Sequence, residues 1–439
     1  MNIPEIVARI ETLPGIKELN SMQKRTIESD ARNLVLIAPT GSGKTIAFGG
    51  RLLRVLRRPG SGLGAVVIAP SRELVMQISS VLRQLSKGYK TVALYGGHSM
   101  ADEINSLQPL PDIIVATPGR FLDHLQRGNI SVGCLPMFVL DEYDKSLQLG
   151  FEGEMKRIAS RVNVREKVTL TSATMLPGLP EYLRISDAEI IDETSSDVAD
   201  GTLEVVHVES FSRDKLDSLS SLLRTFTPEA RTIVFVNHRE SAERVAQRLK
   251  RDGFSVVLYH GALDQLQRQM AIDLFANGTA PIMVATDLAA RGLDIPEVEN
   301  VVHYHLPVDV QAWTHRNGRT ARQKASGTAF VLTSEADTIP DYMEWERDYQ
   351  PPLSENNPAR VALTTIYFSA GKKEKISRGD IVGFIIANSD IKASQIGKIA
   401  VHDHYSVCAV PVAGISAVVA RLNSARLKGK KVKISQVKI

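Results

Sequence analysis

The residues Leu34 to Thr45, LVLIAPTGSGKT, carry the plainest chemistry in this 439-residue chain. An apolar β-like run, Leu34 to Ala38, leads into a glycine loop and then a helix-like stretch. Gly41 and Gly43 let the backbone turn tightly and point its N–H groups inward. Lys44 supplies positive charge for phosphate, and the Thr45 hydroxyl suits Mg2+. Ala38, Thr40, Gly41, Ser42, Gly43, Lys44 and Thr45 together form a phosphate cradle. Ala38 stands where such loops most often carry glycine. A plain glycine turn before an ordinary helix is the bland alternative, and the strand–loop–helix context speaks against it. The expectation is a bound nucleoside triphosphate.

A second group follows in FVLDEYD (138–144). It puts Asp141 and Glu142 at the C-terminal end of an apolar run. A carboxylate so placed holds Mg2+ beside a phosphate loop, and a neighbouring acid can activate water. A capped strand end explains one acid better than two followed by Asp144. Ser172 and Thr174 end the next run and offer hydroxyls to relay the state of the phosphate. Alone, such residues are usually turn formers.

The elements that must position these groups are legible as alternation. Up to about Val205, apolar runs at 34–38, 65–69, 91–95, 112–116, 138–142 and 168–172 alternate with helical stretches. Runs at 232–236, 255–259, 281–285, 300–304 and 328–332 repeat the pattern without a phosphate loop. Continuous apolar runs at this spacing predict parallel sheets wrapped by helices. Polar stretches at Asp192–Gly201 and Gln350–Pro358 read as linkers.

The last stretch is patterned differently. It reads as strand (Asp380–Ala387), short helix (Ala393–Ile399), strands near Val401 and Val407, helix (Ile415–Arg426) and strand (Lys431–Val437). That order fits a small open-faced sheet of the RNA-recognition type. From Arg360 onward there are 14 Lys and Arg against 4 Asp and Glu, on a body that is net acidic. A basic tail points to a polyanion partner; the bland alternative is a solvated basic face. Two distant cysteines, Cys134 and Cys408, do not suggest a disulfide framework and fit a reducing cytosol. Charges at Glu5, Arg9 and Glu11 interrupt any signal-like run, and no run is long enough to span a bilayer.

APTGSGKT, PSRELVMQ (70–77), TPGR (117–120), DEYD (141–144) and SAT (172–174) stand in the order and spacing of the DEAD-box RNA helicases. VFVNHRESAE (234–243), HGALDQLQR (260–268), VATDLAARGLDIP (284–296) and HRNGRTAR (315–322) complete the set, so the chain resembles that family over roughly residues 20–335. The resemblance implies an α/β fold with two RecA-like parallel-sheet domains in tandem (1–205 and 206–350), plus a small C-terminal α+β RRM-like domain (361–439). It implies that Gln23 reads adenine, that Asp294 meets the ribose, and that Asp141 and Glu142 serve Mg2+ and water. Arg319 and Arg322 would reach the terminal phosphate from the second half, and His315 would couple the halves. Arg72, Gly97, Thr117, Arg120 and Thr286 would grip the RNA backbone, contacts that carry little sequence information.

Three departures stand out. Tyr143 replaces the alanine in the family's name, and should alter packing near the SAT segment. Ile6 stands where the family usually has an adenine-stacking aromatic, which predicts a higher ATP requirement. Ala321 replaces a customary glycine. In the tail, KKEKISRGDIVGFI (372–385) and SQIGKI (394–399) resemble the RNA-binding domain of the DbpA branch, which implies structured ribosomal RNA as partner and a role in ribosome assembly. Stacking aromatics are sparse there, since Phe384 reads as core and 406–412 offers no ring. Backbone and shape recognition is the expectation, whether hairpin-specific or general.

The implied activity is an RNA-stimulated ATPase, cytoplasmic and monomeric, that melts short duplexes. A DNA helicase of the same superfamily and a non-hydrolysing RNA clamp are the alternatives. PSREL, TPGR and Gln23 weigh against the first; Lys44, Glu142, Arg319 and Arg322 weigh against the second.

Overall fold

The computed structural model describes residues 1–14, 16, 18–39, 41–97, 99–174, 178–193, 203–287, 298–320, 326–353 and 357–439. Thr40, Asp294, Ala321 and Arg322 lie outside the described residues, as does most of the first expected linker. The chain divides into two compact units, the first carrying one sheet and the second carrying two.

The first sheet holds β1 (Asn33–Ile37), β2 (Ala65–Ile68), β3 (Thr91–Leu94), β4 (Ile113–Ala116), β5 (Leu135–Leu140), β6 (Val164–Ser172) and β7 (Glu189–Asp192). Their order is β3-β4-β2-β5-β6-β1-β7, with every pair parallel. The second sheet holds β8 (Leu203–Ser210), β9 (Thr232–Phe235), β10 (Val256–Tyr259), β11 (Ile282–Ala285), β12 (Asn300–His303), β13 (Gly327–Ser334) and β14 (Arg347–Asp348). Its order, β10-β11-β9-β12-β13-β8-β14, is the same permutation, again all parallel. The repeat heard in the apolar runs is therefore a repeat of topology. Interior strands are covered by helices on both faces, which is why β1, β2, β4, β9 and β11 are buried end to end.

Three strands, β7, β8 and β14, escaped the apolar pattern. In β8 the polar residues Glu204, His207 and Glu209 interrupt the run. They are there because β14 pairs along this side: Arg347 Nε meets Glu204 at 2.7 Å and His207 meets Asp348 at 2.6 Å.

Helix Ile3–Glu11 is set by an Asn2–Glu5 capping box and buries Ile6 and Ile10 completely. Ile6 thus belongs to the core beneath helix Lys44–Val55, packed with Ile27, Phe48 and Leu52. The residue at the customary adenine-stacking position is structural here.

The third sheet is antiparallel, β16-β17-β15-β18, from β15 (Leu363–Phe368), β16 (Ile399–Val401), β17 (Ser406–Pro411) and β18 (Ile434–Gln436). Helices Arg378–Asn388 and Ile415–Ser424 complete the β-α-β-β-α-β order. The order matches the expectation, but its first two elements are corrected. Asp380–Ala387 is helix, not strand, and the first strand is β15. Ser377 and Asp380 form a capping box, and Ile381, Phe384 and Ile385 are buried at helical spacing. The β-branched run disguised this period. The expected short helix is a single 3-10 turn at Ala393–Gln395.

The tail's helices cover one face of this sheet, with Ile366, Phe368, Cys408 and Val410 as core. The other face, Thr365 and Ala409, is also fully buried. It rests on the end of helix Gln265–Ala276 of the second sheet's layer. Asn277 Nδ2 donates to Thr365 Oγ1 at 2.9 Å, and the Thr279 hydroxyl lies 2.7 Å from the same oxygen. His402 Nε2 meets the Asp273 carboxylate at 2.7 Å, and its ring stacks on Tyr405, which stacks on Tyr367.

Candidate functional site

In the first sheet, β6 lies between β5 and β1. The C-terminal ends of these three neighbours carry the acidic motif, the SAT motif and the glycine loop. Strand order alone therefore brings together groups that are distant in sequence, at the edge where open α/β sheets bind ligands.

The loop after β1 turns through Gly41 (φ +88°) and Gly43 (φ +89°), left-handed conformations that favour glycine. A Cβ on Gly43 would lie 2.3 Å from the Gln23 amide nitrogen. Gln23 is fixed there by a capping box with Asn20, whose Nδ2 donates to Ser42 O at 3.1 Å. So the predicted adenine reader and the phosphate loop are packed as one piece. Lys44 Nζ donates to the carbonyls of Ala38 and Pro39. Burial pushes the Lys44 pKa down, against the pull of Glu142 and Asp141. Thr45 occupies the second position of helix Lys44–Val55.

Asp141 and Glu142 follow β5 and are buried. The Thr171 hydroxyl donates to Asp141 Oδ1 and accepts from the Glu142 backbone N–H at 3.1 Å. Burial first, then the neighbouring Glu142 charge, push the Asp141 carboxyl up to about 6. Glu142 itself has φ +49°, a strained conformation for a non-glycine residue at the start of helix Tyr143–Gln148. Asp144 accepts from Ala173 N and from Thr174 Oγ1, both at 3.4 Å. Ser172 makes a local turn, donating to Thr174 O at 2.6 Å, while Ser172 O accepts from Ala38 N.

Two residues here were not singled out from sequence. Thr171, one place before SAT, is the direct tie between the acids and β6. Lys145, 1% exposed, lies 2.8 Å from Glu142 Oε2. The sequence marks it only by spacing, a lysine three residues after a glutamate, which does not show that either is buried.

The other half of the same edge carries the second set. Arg72 starts helix Arg72–Leu85 after β2, Gly97 follows β3, and Thr117 N-caps helix Pro118–Gln126 after β4. Arg72 lies over the Gly96–Gly97 turn, where a Gly97 Cβ would sit 2.8 Å from Nη1. Arg120 Nε is 3.4 Å from Glu103, which also pairs with the fully buried His124 at 2.8 Å. Because the order is β3-β4-β2-β5-β6-β1, the groups expected to meet RNA and those expected to meet nucleotide occupy adjoining halves of one edge.

In the second unit, Thr286 follows β11, and His315 and Arg319 follow β12; the latter two are buried. The residue missed here is Arg316, fully buried. It donates to Asp287 at 2.6 and 3.2 Å, His305 O at 2.8 Å and Asn237 Oδ1 at 2.7 Å. One planar fork thus ties the ends of β9, β11 and β12. The sequence marks it only by its place inside HRNGRT, which does not show what it holds.

Comparison with known proteins agrees with this geometry. Residues 20–179 match the DEAD/DEAH box helicase model, 214–324 the helicase conserved C-terminal domain, and 365–436 the DbpA RNA binding domain. The chain is 33% identical to the ATP-dependent RNA helicase DbpA of Escherichia coli, over 97% of both chains. It is 34% identical to the ATP-dependent rRNA helicase RRP3 of Scheffersomyces stipitis, over 81% of this chain and 76% of that one. Among solved structures it resembles S. cerevisiae Dbp5 bound to RNA and ADP BeF3, at 25% identity and TM-score 0.65, covering 76% of this chain and 87% of that chain. With two helicase domains and a DbpA-type tail in this order, the chain belongs to the DEAD-box RNA helicase family.

Proposed function

We propose that this protein is an RNA-stimulated ATPase that locally unwinds short RNA duplexes, anchored by its tail on structured ribosomal RNA during ribosome assembly. The observation that carries the reading is the shared edge of the first sheet. Arg72, Gly97, Thr117 and Arg120 line one half; Lys44, Asp141, Glu142 and Thr171 line the other. A rigid sheet end can couple a phosphodiester backbone on one half to a triphosphate on the other.

ATP is the substrate. Gln23 would read the adenine edge and Asp294 the ribose. The loop from Ala38 to Thr45, Thr40 included, would cradle the phosphates. Mg2+ fits this site: three buried acids crowd the loop, and Asp141 resists ionising without further positive charge nearby. Thr45 and Asp141 would hold the ion, which supplies charge neutralisation at the phosphates. Glu142 would orient and deprotonate the attacking water, and Lys44 would stabilise the phosphoryl oxygens. Arg319 and Arg322 would complete that stabilisation during turnover, with His315, Ser172 and Thr174 coupling hydrolysis to RNA and Thr286 adding a backbone contact. We assign the three domains to 1–205, 206–350 and 361–439, acting as a monomer in the cytoplasm.

The tail's own sheet supports anchoring by backbone and shape. Thr365 on its open face is buried against Asn277 and Thr279, and Ala409 beside it is buried too, so the centre of this face offers no platform for stacked bases. Basic loops remain: Lys428 Nζ reaches Lys375 O at 2.9 Å, which brings the 372–378 and 426–433 runs side by side. Strand displacement of a short RNA duplex joined to a ribosomal RNA hairpin tests the reading. ATP-dependent displacement, lost in Lys44→Ala and reduced to generic levels by truncation at Arg360, is expected. No displacement with ATP would overturn it.

A further inference from the structure

Tyr143 takes the third place of the acidic motif and is 3% exposed. Its ring is part of the core that includes Phe138, Ile158 and Ile185. Its hydroxyl lies 2.6 Å from that of Tyr182. Tyr182 sits in the 3-10 turn Glu181–Leu183, beyond the SAT motif, with Lys156 Nζ 5.9 Å from its ring centre. Burial pushes both hydroxyls up in pKa, so both stay protonated and one donates to the other. Alanine in this place could not make the contact.

We propose that the Tyr143–Tyr182 pair is a positioning link that carries movement of the Asp141–Glu142 turn to the segment behind SAT, coupling ATP hydrolysis to RNA strand separation. The inference rests on the helicase reading above and extends it to residues outside the nucleotide site. Two ties already join this turn to the end of β6: Thr171 to Asp141 and Glu142, and Asp144 to Ala173 and Thr174. The tyrosine pair is a third, reaching further along the chain. Tyr143 is peptide-bonded to Glu142, whose backbone is strained. A shift of Glu142 on reaction must move the Tyr143 backbone. The buried ring cannot slide freely, so the displacement passes through the hydroxyl pair to 181–183.

Tyr143→Phe and Tyr182→Phe, singly and together in the full chain, keep both rings and remove one or both hydroxyls. Duplexes unwound per ATP should fall about five-fold in each single variant, the worth of roughly one hydrogen bond. The double variant should be no worse than either single one. Hydrogen exchange at 181–185 should slow when wild type binds a non-hydrolysable ATP analogue, and should not respond in the variants. Unchanged unwinding per ATP, or losses that multiply in the double variant, would overturn the link. So would a wild-type 181–185 segment indifferent to the analogue, whether or not the protein unwinds RNA. Absent RNA-stimulated turnover with an intact exchange response would sink the helicase reading and the coupling role with it, leaving only a nucleotide-responsive contact between the acidic turn and 181–185.

Discussion

On the proposed reading, Lys44 and Glu142 are the side chains on which turnover depends most directly. Lys44→Ala and Glu142→Gln should each cost at least about 100-fold in ATP turnover, the usual loss when one preorganised charge or base is removed. Steady-state phosphate release checks this, and near-wild-type rates would contradict it. Lys145 makes a sharper test because its role came from the structure. Its Nζ is buried 2.8 Å from Glu142. Lys145→Met leaves that carboxylate without this cation, which should destabilise the first unit by about 3 kcal/mol and lower turnover with it. Urea unfolding of that unit, followed beside phosphate release, gives both numbers. At this scale the sequence was legible where a motif names its own chemistry: Gln23, Lys44, Asp141, Glu142 and Arg72 all stand at the C-terminal edge or packed on it. Thr171, Lys145 and Arg316 were not legible, because their work is to hold a neighbour and only coordinates show which neighbour.

Elements were legible in proportion to their burial. Strands covered on both faces announce themselves as apolar runs, and their limits moved by a few residues at most. β8 and β14 lie at the sheet's side and pair through Glu204–Arg347 and His207–Asp348, so hydrophobicity missed them. Helix Arg378–Asn388 failed differently. Its Ile and Val content suggested a strand, but capping and three-four spacing won. The tail's docking strand gives a prediction at this scale. Thr365 Oγ1 bonds both Asn277 and Thr279. Thr365→Val buries those partners unsatisfied, at a cost of about 1–3 kcal/mol. Faster hydrogen exchange across 363–368 is the expected sign; unaltered exchange would mean the docking does not depend on this hydroxyl.

Taken as a whole molecule, the chain should be acid-sensitive through its second sheet. Burial, with Arg316 nearby, holds His303 down to about 3; burial, with Lys215 and other cations, holds His305 down to about 4. The unfolded chain takes up protons at these histidines near their ordinary value of 6.5, and the fold does not. Stability contributed here is complete above pH 6.5 and is lost as pH falls from there toward 4 and 3. Thermal unfolding between pH 7.5 and 5 should show a falling midpoint, and His303→Asn should flatten the fall. An unflattened fall would place the sensitivity elsewhere. The repeated strand order was half visible from the paired runs of motifs; its identical permutation was not, since parallel pairing leaves no local mark on sequence.

On the proposed reading, RNA on one half of the sheet edge drives chemistry on the other. Phosphate release measured with no nucleic acid, with DNA and with RNA of matched length tests it most directly. Slow release alone and with DNA, many-fold stimulation by RNA, and none of it in Glu142→Gln are expected. Equal stimulation by DNA, or release indifferent to RNA, would contradict it.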